Sequence, residues 1–409
     1  MKINKILVLF FVMLLPIGLF VTIATSDLNT SAIDTLTPYE STSELTADGN
    51  ANEAAWSSAS ALVVATTGGT LAGTQVTIKA VYTAANIYIL ATWADSTFSV
   101  TRDKYNVSGG TFNQGLDGSN SEDRIALLWE IGTIEGFNSS GGATKCHGLG
   151  TVNFTNPGEK GDMWHVKAAR GGGATSASIV SALTIDNSSY EATAGTIALT
   201  GYADDKFVDH ETRKSDAGSG VYGDNTNGTH AAWIEANPSD WIDAMILTQS
   251  EIDNGEAINI TKGLQNGWAN LTWAVNNYTS LDANVPRHIL RTPAGSRGDI
   301  QVGMTWSDGV WTVEMKRALD TSNADDVIFN ETDSGVYLFS LAIMDNQGQG
   351  TSTIEHSTYS GPIGLTFPTP SPPGPGPETA IPGFDLFIVI GSIFAISVIL
   401  IKLKNTRRK

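Results

Sequence analysis

The sequence predicts an all-β chain, an antiparallel β-sandwich with long elaborated loops, and three observations carry that prediction. Apolar residues come in short runs of period two, not at the 3.6-residue spacing of amphipathic helices. Only 16% of residues are charged and glycine numbers 42, while Ser, Thr and Asn crowd the gaps between apolar runs, as in extracellular β proteins. About ten such runs fall between residues 44 and 367 with no linker composition between them, so a single domain is expected there.

The chain opens on MKINKILVLFFVMLLPIGLFVTIATS, two lysines, an apolar core and small polar residues. That is the layout of a secretory signal over residues 1–26, with cleavage near Ala24 to Ser26. Residues 27–43 are Ser/Thr-rich and read as a flexible lead-in. ADGNANEAAW (Ala47 to Trp56) is a turn followed by a tryptophan. Gln75 to Thr83 and Asn86 to Trp93 are two alternating runs across a short polar gap, a hairpin signal. Asp123 to Ile131 (DRIALLWEI) is nearly continuous apolar sequence and so a candidate buried strand.

Strands are next expected at Asp162 to Ala169 and Ala192 to Tyr202, then an acidic, glycine-rich excursion to about residue 230. The rhythm resumes at Asp299 to Trp306, Val310 to Arg317 and Val336 to Met344. Within it, Trp306-Ser-Asp-Gly-Val-Trp311 predicts a hairpin whose Asp-Gly turn supplies positive φ and whose tryptophans pair across the strands. Residues 368–381 form a stiff Pro-rich spacer. Residues 382–403 contain about 18 mostly apolar positions, close to the roughly 20 that span a bilayer, and predict a transmembrane anchor. The basic tail, residues 404–409, is expected to stay cytoplasmic, which leaves the domain extracytoplasmic at the cell surface.

Without the leader and tail cations, 17 basic residues face 42 acidic ones. Such a surface repels polyanions, so no nucleic acid partner is expected; a solvated acidic coat accounts for the charge. The single cysteine allows no internal disulfide. Ten N-x-S/T sequons, at Asn29, Asn106, Asn138, Asn153, Asn187, Asn227, Asn259, Asn270, Asn277 and Asn330, fit a glycosylated surface protein. HExxH, GxSxG, GxxxxGK[ST] and CxxC are all absent, as is the calcium-hand pattern, so no enzyme is expected; scattered acidic loops leave structural calcium open.

Soft and nitrogenous donors concentrate between Thr144 and Arg170, TKCHGLGTVNFTNPGEKGDMWHVKAAR. Cys146-His147 supplies half of a c-type attachment motif, but Ala143 stands where the first cysteine belongs, so two thioether links are impossible. His147 on its Gly-rich loop remains a candidate axial ligand for a non-covalent haem. Strand alternation puts Met163, His165 and Lys167 on one face and Trp164 and Val166 on the other. His165 then either lines a pocket or meets solvent, and His356 reads as a loop residue.

ADGNANEAAW, VTIKAVYTAANIYILATWAD, EDRIALLWEI, KCHG before NPGEKGDMWHVKAAR, GYADD, PAGSRGDIQVGMTWSDGVWTVEMKRALD, and FSLAIMDNQG before EHSTYSGPIGL occur in that order over most of the chain. This arrangement resembles the haem-binding domain family typified by the gamma subunit of ethylbenzene dehydrogenase, with its cytochrome c-552-like and DMSO reductase-group relatives. The resemblance implies a sandwich holding one haem b between its sheets. The family's axial methionine and lysine positions fall, by motif, in KCHG and IEHSTYSG, where His147 and His356 stand. The resemblance thus implies bis-histidine ligation, with Cys146, Met163, His165 and Lys167 as pocket-lining or alternative donors and Arg170 or Arg297 meeting the propionates. Pro382-Gly-Phe384 before the apolar segment also resembles the archaeal PGF-type sorting signal, in which the tail is exchanged for a lipid.

The function expected is electron transfer by a b-type haem domain anchored to the membrane by helix or lipid, with an unidentified redox partner protein. It is not itself an enzyme, though it could serve a molybdenum oxidoreductase. The alternative is a carbohydrate-binding, family 9-like or structural surface module without haem, because DGNANEAAW also opens sandwiches of that type.

Overall fold

Strand alternation builds two sheets that pack face to face. A computed structural model of the chain describes residues 33–108, 111–117, 122–142, 156–186, 188–209, 213–228, 230–262, 269–345 and 356–369. The expected signal, anchor and basic tail lie outside these residues. Contacts divide the chain between Pro368 and Thr369, and the strands all belong to the first unit. Among the described residues no helix is long and apolar enough to cross a membrane.

One eight-stranded sheet runs in the order Asp34–Leu36, Ile363–Leu365, Tyr337–Met344, Arg124–Ile131, Lys160–Lys167, Asp204–Asp209 and Arg213–Ser215, with Ser357–Thr358 beside Tyr337–Met344. The other runs Ser176–Asp186, Glu191–Tyr202, Gln301–Ser307, Val310–Ala318, Asn86–Ala94, Gln75–Tyr82 and Tyr39–Glu40, with Leu62–Ala65 beside Gln75–Tyr82. Within these two sheets pairing is antiparallel except at two short strands, Asp34–Leu36 and Tyr39–Glu40, which lie parallel to their neighbours. Neither sheet closes into a barrel.

The inner faces share one core. Ile125, Leu127, Trp164, Val166 and Leu341 of the first sheet meet Ile89, Ile197, Trp306, Trp311 and Val313 of the second. Trp129, Trp164, Trp306 and Trp311 are fully buried there, and Trp129 lies 4.4 Å from the Phe339 ring and 5.3 Å from Trp164. Interiors packed in this way have no voids of cofactor size. Indole and phenyl rings thus pack the described core between the sheets, where haem was expected, and a cavity lies on the outer face of the first sheet.

The hairpin predicted at Asp308-Gly309 forms with φ of 44° and 88° at its two turn residues, and Trp306 faces Trp311 across it. The stretch after Tyr202, expected to be an acidic excursion, instead contributes Asp204–Asp209, an integral strand antiparallel to Lys160–Lys167. Its charges concealed it from hydropathy, because they are paired or buried inside the protein. The chain then adds small sheets and the helices Trp241–Met245, Gln249–Asn254 and Ala269–Ser280.

Candidate functional site

Strand Lys160–Lys167 turns Trp164 and Val166 inward, so Met163, His165 and Lys167 stand on the sheet's outer face. Register then decides their neighbours, because residues directly opposite in antiparallel strands share a face. His165 lies opposite Ala126, Ala126 opposite Ala342, and Ala342 opposite Thr358. One row away, Met163 lies opposite Leu128, which lies opposite Ser340.

The two alanines have almost no side chain to fill the outer face, and the row sinks into a trough between taller walls. The result is a cavity of about 460 Å³, its open mouth included, lined by Ala126, Leu128, Met163, His165, Ala342 and His356 among others. His165 and Met163 are each 5% exposed and His356 is half-buried. Thr358, two residues beyond His356, is three strand spacings from His165, roughly 14 Å. Leu128 and Met163 also pack with Ile134 and Phe137, which closes one end with apolar groups.

Beyond the cavity the same face is charged. Arg124 lies opposite Lys167 in the row beyond Ala126 and His165. Asp204, opposite His165 in the next strand, accepts from Lys167, from Lys206 and, at 2.8 Å, from Arg297. Burial works to raise the Asp204 carboxyl, but Lys167 and Lys206 hold it well below the usual carboxylate range. Glu122 likewise takes Arg170 and accepts from the Ala169 N–H at 2.9 Å. Burial would raise Glu122, and Arg170 first among its neighbours keeps it low.

The expected site residues are therefore distributed as follows. Met163, His165 and His356 come together in one cavity, and His165 faces that cavity instead of solvent. Lys167 stands on the same face within a buried ion-pair network, while Arg170 and Arg297 are engaged by Glu122 and Asp204. Cys146 and His147 lie outside the described residues; the described chain before them ends at Gly142, which itself lines the cavity.

Sequence reasoning missed the alanine floor and the cationic row, both of which depend on register between strands distant in the chain. It also missed two groups of converging acids, Asp95 with Asp123 and Asp345, and Asp162 with Asp205 and Asp326. The doublet Asp204-Asp205 was the available signal, since alternation must send one of the two inward.

A model of the family described as ethylbenzene dehydrogenase matches residues 53–355, well over half of the chain. No curated protein matches. Among solved structures, a candidate carbohydrate-binding protein from Bacteroides uniformis is 8% identical with a TM-score of 0.31, covering 82% of this chain and 100% of that one. A family 9 carbohydrate binding module from Caldicellulosiruptor kristjanssonii, in complex with cellotriose, is 10% identical with a TM-score of 0.26, covering 86% and 98%. On the extent of the family match, the chain belongs to the ethylbenzene dehydrogenase family.

Proposed function

We propose that this chain is a non-covalent haem-binding domain of the gamma-subunit kind, which passes single electrons outside the cytoplasm and is itself no enzyme. The observation that carries the reading is the outer-face cavity, where Met163, His165 and His356 meet over the floor of Ala126 and Ala342. Imidazole and thioether groups are the donors haem iron takes. Apolar walls suit a macrocycle, and Arg124 and Lys167 stand one row beyond the cavity on the same face, on the side where its carboxylates would emerge.

Haem bound there would supply a one-electron couple. The chain's part is to offer nitrogen from the cavity wall, exclude water with Leu128 and Met163, and fix the charged edge. His356 is proposed as one axial ligand, with His147, by motif, as the other; His165 and Met163 share the cavity and are the remaining donors. A leader, glycans on the outer sequons and an anchor at 382–403, retained or exchanged for lipid after the PGF motif, would keep the domain at the cell surface. A molybdenum oxidoreductase is the class of redox partner proposed.

The test uses the full chain purified from cells supplied with haem, by reduced-minus-oxidised spectra. A sharp α band of b type is expected, and His356→Ala should convert the spectrum toward a five-coordinate form. His147→Ala and His165→Ala then separate the two candidates for the second ligand. Protein that neither retains haem nor takes it up on titration sinks the reading; an unchanged spectrum in His356→Ala sinks the ligand assignment alone.

A further inference from the structure

Behind the cavity strand, on the face turned into the protein, four carboxylates converge. Asp162 and Asp205 are inner-face residues of Lys160–Lys167 and Asp204–Asp209, where Asp205 lies opposite Trp164. Asp326 comes from the segment that follows Val310–Ala318 of the other sheet. Asp216 follows Arg213–Ser215, whose Ser215 lies opposite Lys206, and so falls beside Asp205. These residues are 0%, 0%, 3% and 4% exposed respectively.

Hydrogen bonds secure only the backs of two of these groups. Asp162 Oδ2 accepts from Arg317 at 2.5 Å, from Trp164 Nε1 at 3.1 Å and from the Val327 N–H at 3.1 Å. Asp326 Oδ2 accepts from Thr321 Oγ1 at 2.5 Å and from Asn323 Nδ2 at 3.4 Å. The other oxygen of each, Oδ1, has no hydrogen-bond partner, and neither has either oxygen of Asp205. One oxygen from each of Asp162, Asp205 and Asp326 lies within 4.8 Å of the other two. Oxygens that close can share one cation at the roughly 2.4 Å that calcium takes to each.

Asp216 stands outside that trio, and register sets it across from Asp205. Both its oxygens are buried without a donor, and its carboxyl meets Asp205 at hydrogen-bond range while sensing Asp162, Asp325 and Asp326. Two facing carboxyls with no donor between them are bridged either by a proton or by a cation. Against the four acids stands Arg317, fully buried, bonded to Asp162 and stacked over Trp164 at 4.8 Å. Among the described residues one guanidinium stands against four carboxyls, and in a water-poor interior the remaining charge is prohibitive unless something else neutralises it.

We propose that Asp162, Asp205, Asp216 and Asp326 form a buried calcium site that fastens Lys160–Lys167 and Asp204–Asp209 of the first sheet to the 319–336 segment that follows Val310–Ala318. Donors that are all oxygen select a hard cation, and a site this rich in direct carboxylates suits calcium better than magnesium, which keeps most of its water. The site adjoins the cavity through the backbone, since Met163 follows Asp162 and Asp204 precedes Asp205. Calcium would thus stiffen the strand that carries His165 whether or not haem is bound.

Terbium is the probe, because Trp164 donates to a proposed ligand and can sensitise it. The full chain, freed of metal with a chelator, is titrated with terbium under excitation of tryptophan, then with calcium and separately with magnesium. Sensitised emission is expected, displaced by calcium at concentrations where magnesium has little effect. At 1 mM calcium the wild-type Tm should rise by roughly 5 °C or more.

Asp205→Asn replaces a carboxyl by a neutral amide of the same shape, so metal-free folding, read by circular dichroism, is expected to persist. Calcium affinity should fall about tenfold or more, with the Tm shift lost. Asp123→Asn, in the other acidic group beside Trp311, serves as control and should keep the signal. Three results overturn the proposal: no terbium emission and no calcium shift in the wild type; equal calcium affinity in Asp205→Asn; or emission lost in Asp123→Asn and kept in Asp205→Asn. The first means that shared protons alone neutralise the four acids.

Discussion

Glu314 shows how a single side chain can hold a distant motif. It is 1% exposed on the outward face of Val310–Ala318. Its Oε2 accepts from the Gly49 N–H at 2.7 Å and the Asp48 N–H at 3.1 Å, and its Oε1 accepts from Trp56 Nε1 at 2.7 Å. ADGNANEAAW and WTVEMKRALD, 250 or so positions apart, are therefore one structural unit. Gly49 must be glycine there, with φ of 82° and Met304 backbone 2.6 Å from where a Cβ would stand. Burial, only partly offset by the Gly49 and Trp56 hydrogen bonds, pushes Glu314 up to about 7. Its folded pKa exceeds its unfolded one, so its contribution is fully present below about pH 4.5 and is lost as pH rises through about 7. Glu314→Ala strands three buried donors and should cost about 3 kcal/mol or more in urea unfolding. A loss under 1 kcal/mol would show that water replaces the carboxylate at no penalty.

At the scale of the element, the cavity is a property of a sheet face. Ala126 and Ala342 are ordinary strand residues until register sets them side by side between His165 and Thr358. Ala342→Leu should therefore fill the trough, leaving thermal stability within about 1 kcal/mol while abolishing haem uptake; haem retained at full stoichiometry would place the ligand elsewhere. The alternation in DMWHVK and the Asp-Gly turn could be read from sequence because both are local. The trough could not, since it needs residues 126, 165, 342 and 356 placed in one plane. Other elements escaped for different reasons. Ser176–Asp186 is an edge strand with few buried positions, so its hydrophobic period is faint. Helix Ala269–Ser280 is built from poor helix formers, and it holds because Leu271, Ala274, Val275 and Tyr278 bury one stripe at helical spacing.

Over the whole molecule, most buried carboxyls are pushed toward their protonated form. Burial, reinforced by neighbouring acids, raises Asp95 and Asp216 to about 8, Glu235 to about 7 and Asp299 to about 6. Asp204 and Glu122, surrounded by cations, are shifted the other way. The raised groups bind protons in the folded chain that the unfolded chain has already released above about pH 4, so between that value and about pH 8 the stability they contribute falls as pH rises. The depressed pair contributes stability that is already complete above about pH 4 and is lost only as pH falls below it, so it does not offset that slope. A net charge of −18 adds repulsion that grows in the same direction. In chelator, the urea midpoint should therefore be higher at pH 5.5 than at pH 8, and salt should narrow the difference by screening only its surface part. A midpoint that instead rose from pH 5.5 to pH 8 would mean that these interior acids are ionised and compensated without metal. Cationic partners beyond Arg317 would then have to reach Asp205 and Asp216.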